Sequence, residues 1–168
     1  MNPFRGPIKR RDGGFVLRLG DEETALLRRL LGELRDLLTS DEEAAVALTR
    51  RLFPVVHPDD PEMEAEYQRL MRDELIESRL ASIGSVDQAL EQGTRLDEAA
   101  MMAFARSLNS LRLVLGVMLG IDRDDEGSGA TDPLDDGVAD GLDGSAEHHL
   151  YGYLSWLLEH AIQALSGR

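Results

Sequence analysis

The sequence predicts a mainly α protein, a compact helical bundle around a long central helix with a small amino-terminal β-hairpin. Three observations carry that expectation. Leucine and other apolar residues recur at spacings of three and four through most of the chain, the repeat of a helix with one buried face. Start signals at Asp21, Ser40 and Asp60 break that pattern into successive helices. Residues 4–19 instead hold two short apolar runs around a glycine pair, a strand-turn-strand signature.

Taken in order, FRGPIKR and FVLRL are joined by Asp12-Gly13-Gly14, residues that tolerate positive φ and suit a tight hairpin. Asp21 is expected to cap a first helix with an acidic first turn, running to about Leu38. Its stripe is Leu27, Leu30, Leu34 and Leu37, flanked by Leu26, Leu31 and Leu38. Ser40 followed by Glu43 has the capping-box spacing and opens a second helix that Pro54 stops near Phe53. Asp60-Pro61 opens a third, with proline at the first helical position, and Gly84 is expected to end it. A short helix from Val86 to Gln92 follows.

Leu96-Asp97 then opens what reads as the longest helical segment, Asp97 to Leu119. Its stripe is Met101, Phe104, Leu108, Leu111, Leu115 and Met118, and at about 1.5 Å per residue it spans roughly 35 Å. The other helices are expected to pack around it. Residues 122–145 combine nine acidic residues with five glycines and no apolar period, the composition of a disordered linker. A last helix, Ala146 to Leu165, places Leu150, Leu154, Leu157, Leu158 and Ala161 on one face. Residues 1–168 thus read as one domain: hairpin 1–20, helical core 21–121, acidic linker 122–145, and a carboxy-terminal helix 146–168 packed on the core.

Charge and composition limit the function classes. The net charge of -14 argues against broad attraction to nucleic acid or anionic membrane, although residues 122–145 alone contribute -8. Residues 1–18 run the other way, with Arg5, Lys9, Arg10, Arg11 and Arg18 against Asp12. There is no cysteine, which removes disulfides, thiolate ligands and thiol redox chemistry. No run approaches the roughly 18 apolar residues of a membrane span, and the basic amino terminus lacks the apolar stretch of a signal peptide, so a cytoplasmic location is expected.

No catalytic residue, cofactor-binding residue or metal ligand is singled out, and no cofactor is expected. Asp122, Asp124, Glu126 and Gly127 match the opening of a calcium loop, but Pro133 stands where the bidentate glutamate belongs, so a solvated linker is the better reading. His57, His148, His149 and His160 include no pair at the helical i, i+4 spacing of a zinc site. Glycine-rich phosphate loops, nucleophile elbows and His-Glu-x-x-His are missing, which leaves an enzymatic reading only for a site scattered along the sequence.

Two constellations remain. Ala105, Asn109, Arg112 and Gly116 share one face of the long helix, opposite the leucines. Small residues at the ends admit a close neighbour, and Asn109 with Arg112 offers donors to a carboxylate or carbonyl. This seam reads either as an internal structural pair, with a carboxylate of the first or third helix, or as a partner-binding face. Lys9, Arg10 and Arg11 beside the hairpin turn read either as a charged, protected strand edge or as a contact to phosphate or a partner.

The run LNSLRLVLGVMLGI, residues 108–121, resembles the DUF2017 family, an actinobacterial family first catalogued as a domain of unknown function and associated with an oxidative-stress regulator. The resemblance extends through the strand pair, the helix from Glu23, AEYQRLMRDEL from Ala65 and the terminal helix from Tyr151. Leu108, Asn109, Leu111, Arg112, Leu113, Leu115, Gly116, Leu119 and Gly120 fit its pattern, whereas Ser110 and Met118 stand where aspartate and arginine are expected. The resemblance implies a cytoplasmic transcriptional regulator of the oxidative-stress response, acting through RNA polymerase or a sigma factor. A thiol-pair mechanism is closed to a chain without cysteine.

The expected function is therefore a non-enzymatic regulatory protein working by protein-protein contacts. A direct DNA binder using the basic hairpin is the alternative, separable because its affinity falls steeply with salt. An all-helical enzyme is the third reading.

Overall fold

The computed structural model describes residues 6–93, 95–121 and 142–167, with the backbone alone for residues 142–145. Strands β1 (Ile8–Arg11) and β2 (Gly14–Leu17) pair antiparallel, Ile8 opposite Leu17 and Arg11 opposite Gly14, around a turn at Asp12 and Gly13. The expected hairpin is present, and a third strand extends it. Strand β3 (Arg95–Leu96) pairs antiparallel with β2, Phe15 opposite Leu96, giving the order β1-β2-β3. Gly14 makes the close approach: its φ is 152°, and a Cβ there would stand 2.4 Å from the Leu96 carbonyl oxygen. Leu96 therefore belongs to the sheet and does not open the following helix. A two-stranded hairpin is marginal by itself, and the third strand lets Phe15, Leu17 and Leu96 bury together.

Helix α1 (Asp21–Thr39) buries Leu27, Leu31, Leu34 and Leu38, with Leu30 and Leu37 half-buried at the edges of the stripe. Its N-cap is Gly20, one residue before the expected Asp21, because the Glu23 carboxylate accepts the Gly20 N–H at 2.8 Å. The expected second helix is divided. Helix α2 (Glu43–Leu48) ends at Thr49, and a 3-10 turn (Arg50–Leu52) carries the chain onward. The buried Thr49 hydroxyl donates to the Ala45 carbonyl at 3.0 Å, and the Leu52 N–H reaches back to the Thr49 carbonyl at 2.9 Å. That back-bonding and the tighter i, i+3 bond drive Leu52 into the core.

Helix α3 (Pro61–Gln92) starts as expected, with Asp60 accepting from Met63 N–H at 3.0 Å and Pro61 in the first turn. It does not stop at Gly84. At 32 residues it is the longest helix, displacing the Asp97–Leu119 segment from that place, and the expected Val86–Gln92 helix is its last part. Ile83, Val86 and Leu90 continue one buried stripe across the glycine. Burying such side chains stabilises by about 1.5–3 kcal/mol each, which outweighs the roughly 1 kcal/mol cost of a glycine in a helix interior.

Helix α4 (Glu98–Met118) is capped by Asp97, whose carboxylate accepts Ala100 N–H at 2.7 Å. It ends in a left-handed Gly120, with Ile121 N–H bonded to the Gly116 carbonyl and Gly120 N–H to that of Val117. Met101, Phe104, Leu108, Leu111 and Leu115 are buried as the stripe requires. Met118 is 53% exposed and lies at the rim of a hollow lined by Leu30, Leu37 and Leu150, so the stripe is not buried to its end. Helix α5 (Leu142–Leu165) begins earlier than the expected Ala146 and buries Leu154, Leu157, Leu158 and Ala161. The rest of the expected linker, residues 122–141, lies outside the described residues.

The molecule is mainly α. Helix α4 touches every other helix, the 3-10 turn, and strands β2 and β3, so it is central although it is not the longest. Polar ties bind the outer helices: Arg28 on α1 pairs with Asp87 on α3 at 2.7 Å, and the Tyr153 hydroxyl on α5 donates to Glu23 at 3.1 Å. Burial, then the nearby Glu23 charge and that hydrogen bond, hold the Tyr153 phenol above its ordinary pKa. Among the described residues no helix is long and apolar enough to cross a membrane.

Candidate functional site

The amino-terminal part of α3, residues 61–82, contains no buried residue. Met63 and Leu70, seven residues apart and so on one face, are 53% and 59% exposed. The segment before the helix adds Val55 and Val56, with Val55 64% exposed. It is held beside α3 by Glu64, which accepts the N–H groups of Val56 at 3.0 Å and His57 at 2.7 Å, while the His57 ring meets Tyr67 edge-on. Below them the Arg72 guanidinium lies 4.1 Å from the Phe53 ring centre. The result is an apolar face on a helix anchored by its other end.

A cavity of about 200 Å³ opens between α3 and α4. Helix α3 contributes Ser78, Arg79 and Ser82, and α4 contributes Arg106, Ser107 and Ser110. Arg79 is half-buried and clamped: Nη1 donates to Ser110 Oγ at 3.0 Å and Nη2 to the Leu52 carbonyl at 2.8 Å. Ser110 Oγ donates in turn to the Arg106 carbonyl at 3.0 Å. The Arg79 Nε is buried without a hydrogen-bond partner among the described residues, and burial lowers the guanidinium's pKa. Ser107 is 2% exposed and its hydroxyl also lacks a partner. Among the described residues no acidic side chain lines the cavity. The half-buried Arg79 charge is met there, among the described residues, by neutral acceptors alone. The arrangement is a set of donors.

The seam on α4 lies where α5 packs. Ala105, Asn109 and Arg112 are half-buried and Gly116 is buried. Arg112 Nη2 donates to Asn109 Oδ1 at 3.4 Å, and its guanidinium stands 6.0 Å from the Tyr151 ring centre on α5. At Gly116 a Cβ would meet Arg51 Nη1 at 3.2 Å and Tyr151 Cε2 at 3.5 Å. Arg51 also donates to the Ile121 carbonyl, placing a cation at the carboxy-terminal end of α4. The close neighbours admitted at Gly116 are thus Arg51 of the 3-10 turn and Tyr151 of α5.

On β1, Lys9 is half-buried and Arg10 and Arg11 are exposed. Arg10 lies 5.7 Å from the Phe15 ring centre, and its Nη1 is 3.2 Å from where a Gly167 Cβ would be, against the carboxy-terminal end of α5. Arg10 and Arg11 share a shallow hollow with Glu98, whose charge opposes phosphate there.

The family model described as domain of unknown function (DUF2017) matches residues 1–165. The chain belongs to the DUF2017 family. No curated protein and no solved structure matches it.

In this DUF2017 member the residues of the seam come together as their spacing requires, and the basic run sits on an outer strand of the sheet. Among the described residues no group of three histidine or acidic side chains is placed to hold a metal ion, and His160 Nδ1 donates to the Trp156 carbonyl at 2.8 Å. The calcium reading at Asp122, Asp124 and Glu126 falls outside the described residues. Sequence reasoning missed Arg79, Arg106 and the four serines. Their only local trace is the pairs Ser78/Ser82 and Ser107/Ser110 at helical spacing, which gain meaning once α3 is known to face α4.

Proposed function

We propose that this protein is a non-enzymatic regulatory protein that acts by binding another protein, with Val55, Val56, Met63 and Leu70 as the contact surface. The observation that carries this reading is the exposed apolar face on the amino-terminal part of α3, where two large apolar side chains on one face are more than half exposed. Apolar surface of this kind gains about 25 cal/mol per Å² when a partner covers it, and methionine adapts readily to an opposing surface. The partner we propose is part of the transcription machinery of an actinobacterial cytoplasm, RNA polymerase or a sigma factor. That choice rests on the resemblance of residues 108–121 to a family associated with an oxidative-stress regulator.

The test uses the immobilised full chain with purified polymerase core and sigma factors, wild type against the double variant Met63→Glu, Leu70→Glu. Retention of one of these components by the wild type, weakened about tenfold or more in the variant, is expected. No retention by the wild type, or equal retention by both proteins, sinks the reading.

A further inference from the structure

We propose that the cavity between α3 and α4 binds a phosphate group, with Arg79, Arg106 and Ser107 as its ligands. The site shares no residue with the α3 face assigned to protein contact, so the two readings stand or fall separately.

Four observations converge on it. Arg79 is half-buried and held in one orientation by Ser110 and the Leu52 carbonyl, so its guanidinium is positioned before any ligand arrives. Among the described residues its Nε has no hydrogen-bond partner, and neither does the hydroxyl of Ser107, a residue of the cavity wall that is almost wholly inside the protein. Arg106 brings a second guanidinium from α4, with no hydrogen bond or ion pair to its side chain among the described residues. In a chain of net charge -14, the described residues form here a hollow lined by two cations and four hydroxyls and no carboxylate.

Water filling the cavity would leave the Arg79 and Arg106 charges uncompensated. An oxyanion compensates both. A tetrahedral phosphate suits the site better than a planar carboxylate, because donors converge from two helices and outnumber what two carboxylate oxygens accept. The volume of about 200 Å³ is below the roughly 300 Å³ at which drug-sized ligand pockets begin, which limits the occupant to phosphate or a phosphate on a short substituent.

The test titrates the full chain with inorganic phosphate and, separately, with glycerol phosphate, at ionic strength held constant with chloride. Binding is followed by calorimetry and by the Tm, which rises with the ligand that the folded state binds. A saturable rise in Tm with either phosphate species, and none with chloride, is expected. Tighter binding of the inorganic ion assigns the site to free phosphate, and tighter binding of the ester assigns it to a phosphorylated small molecule; both support the proposal. Because Arg79 also holds the Leu52 carbonyl and so serves the fold, the variants are Arg106→Gln, at an exposed position, and Ser107→Ala. Each should weaken binding by about tenfold, the loss typical of one charged or buried hydrogen bond. The Arg79 Nε–H resonance should move on titration in the wild type. Equal response to phosphate and chloride, or unchanged affinity in both variants, overturns the proposal.

Discussion

Glu64 shows how one side chain shapes the candidate docking face. Its carboxylate accepts from Gln68 Nε2 at 2.7 Å and from the backbone of Val56 and His57, and these bonds, Gln68's first, hold its pKa below the ordinary 4.5. A native pKa below the unfolded one stabilises fully above the unfolded value and is lost as pH falls through the folded value. The amides of Val56 and His57 should therefore keep their exchange protection from neutrality down to about pH 4.5 and lose it below. Glu64→Gln, which cannot ionise, should show no such step by NMR-detected exchange, and a wild type indifferent to pH would remove the carboxylate from this role. The Asp60 cap was readable in sequence, because it bonds three residues from itself. The clamp on Val56 and His57 was not, since it needs the loop folded back on the helix.

At the scale of the element, α3 is the instructive case. Asp60, Pro61 and the apolar spacing announced its start, and a glycine at position 84 announced an end that does not occur. Glycine can end a helix by adopting a left-handed conformation, but Gly84 keeps helical geometry because Val86 and Leu90 gain more by staying in register with the core. A Cβ at this position meets nothing within 4 Å. Gly84→Ala should accordingly raise stability by about 0.5–1 kcal/mol, seen as a higher urea midpoint at unchanged slope. A lower midpoint would show that the glycine serves packing. Thr49 marks the opposite outcome in the preceding segment, where a helix read as continuous is broken by the residue's own side-chain bond to the turn before it.

For the molecule as a whole, the interior is arranged around α4, and α5 closes it. Leu157 is fully buried there, and Leu157→Ala should cost about 2–5 kcal/mol in equilibrium urea unfolding. That is a large share of the roughly 5–15 kcal/mol total stability of a domain. An exposed leucine such as Leu70, by contrast, should change stability by no more than about 0.5 kcal/mol when replaced, which is why it can report on binding alone. A loss at Leu157 under about 1 kcal/mol would mean that α5 contributes little to the closed core. The seam of Asn109, Arg112 and Gly116 belongs to this scale too, since Tyr151 of α5 is what it admits.

By itself the sequence determined the helical class, the hairpin turn, the caps at Asp60 and Asp97, and the faces that α1, α4 and α5 bury. These follow from bonds and periodicities within a few residues, so every participant is adjacent in the chain. Tertiary structure alone decided the third strand at Leu96, the continuity of α3 through Gly84, the exposure of Met118 and the cavity that gathers Arg79 with Arg106. Each of those depends on a neighbour far away in sequence, where the gain in buried surface or paired hydrogen bonds outweighs a weaker local preference.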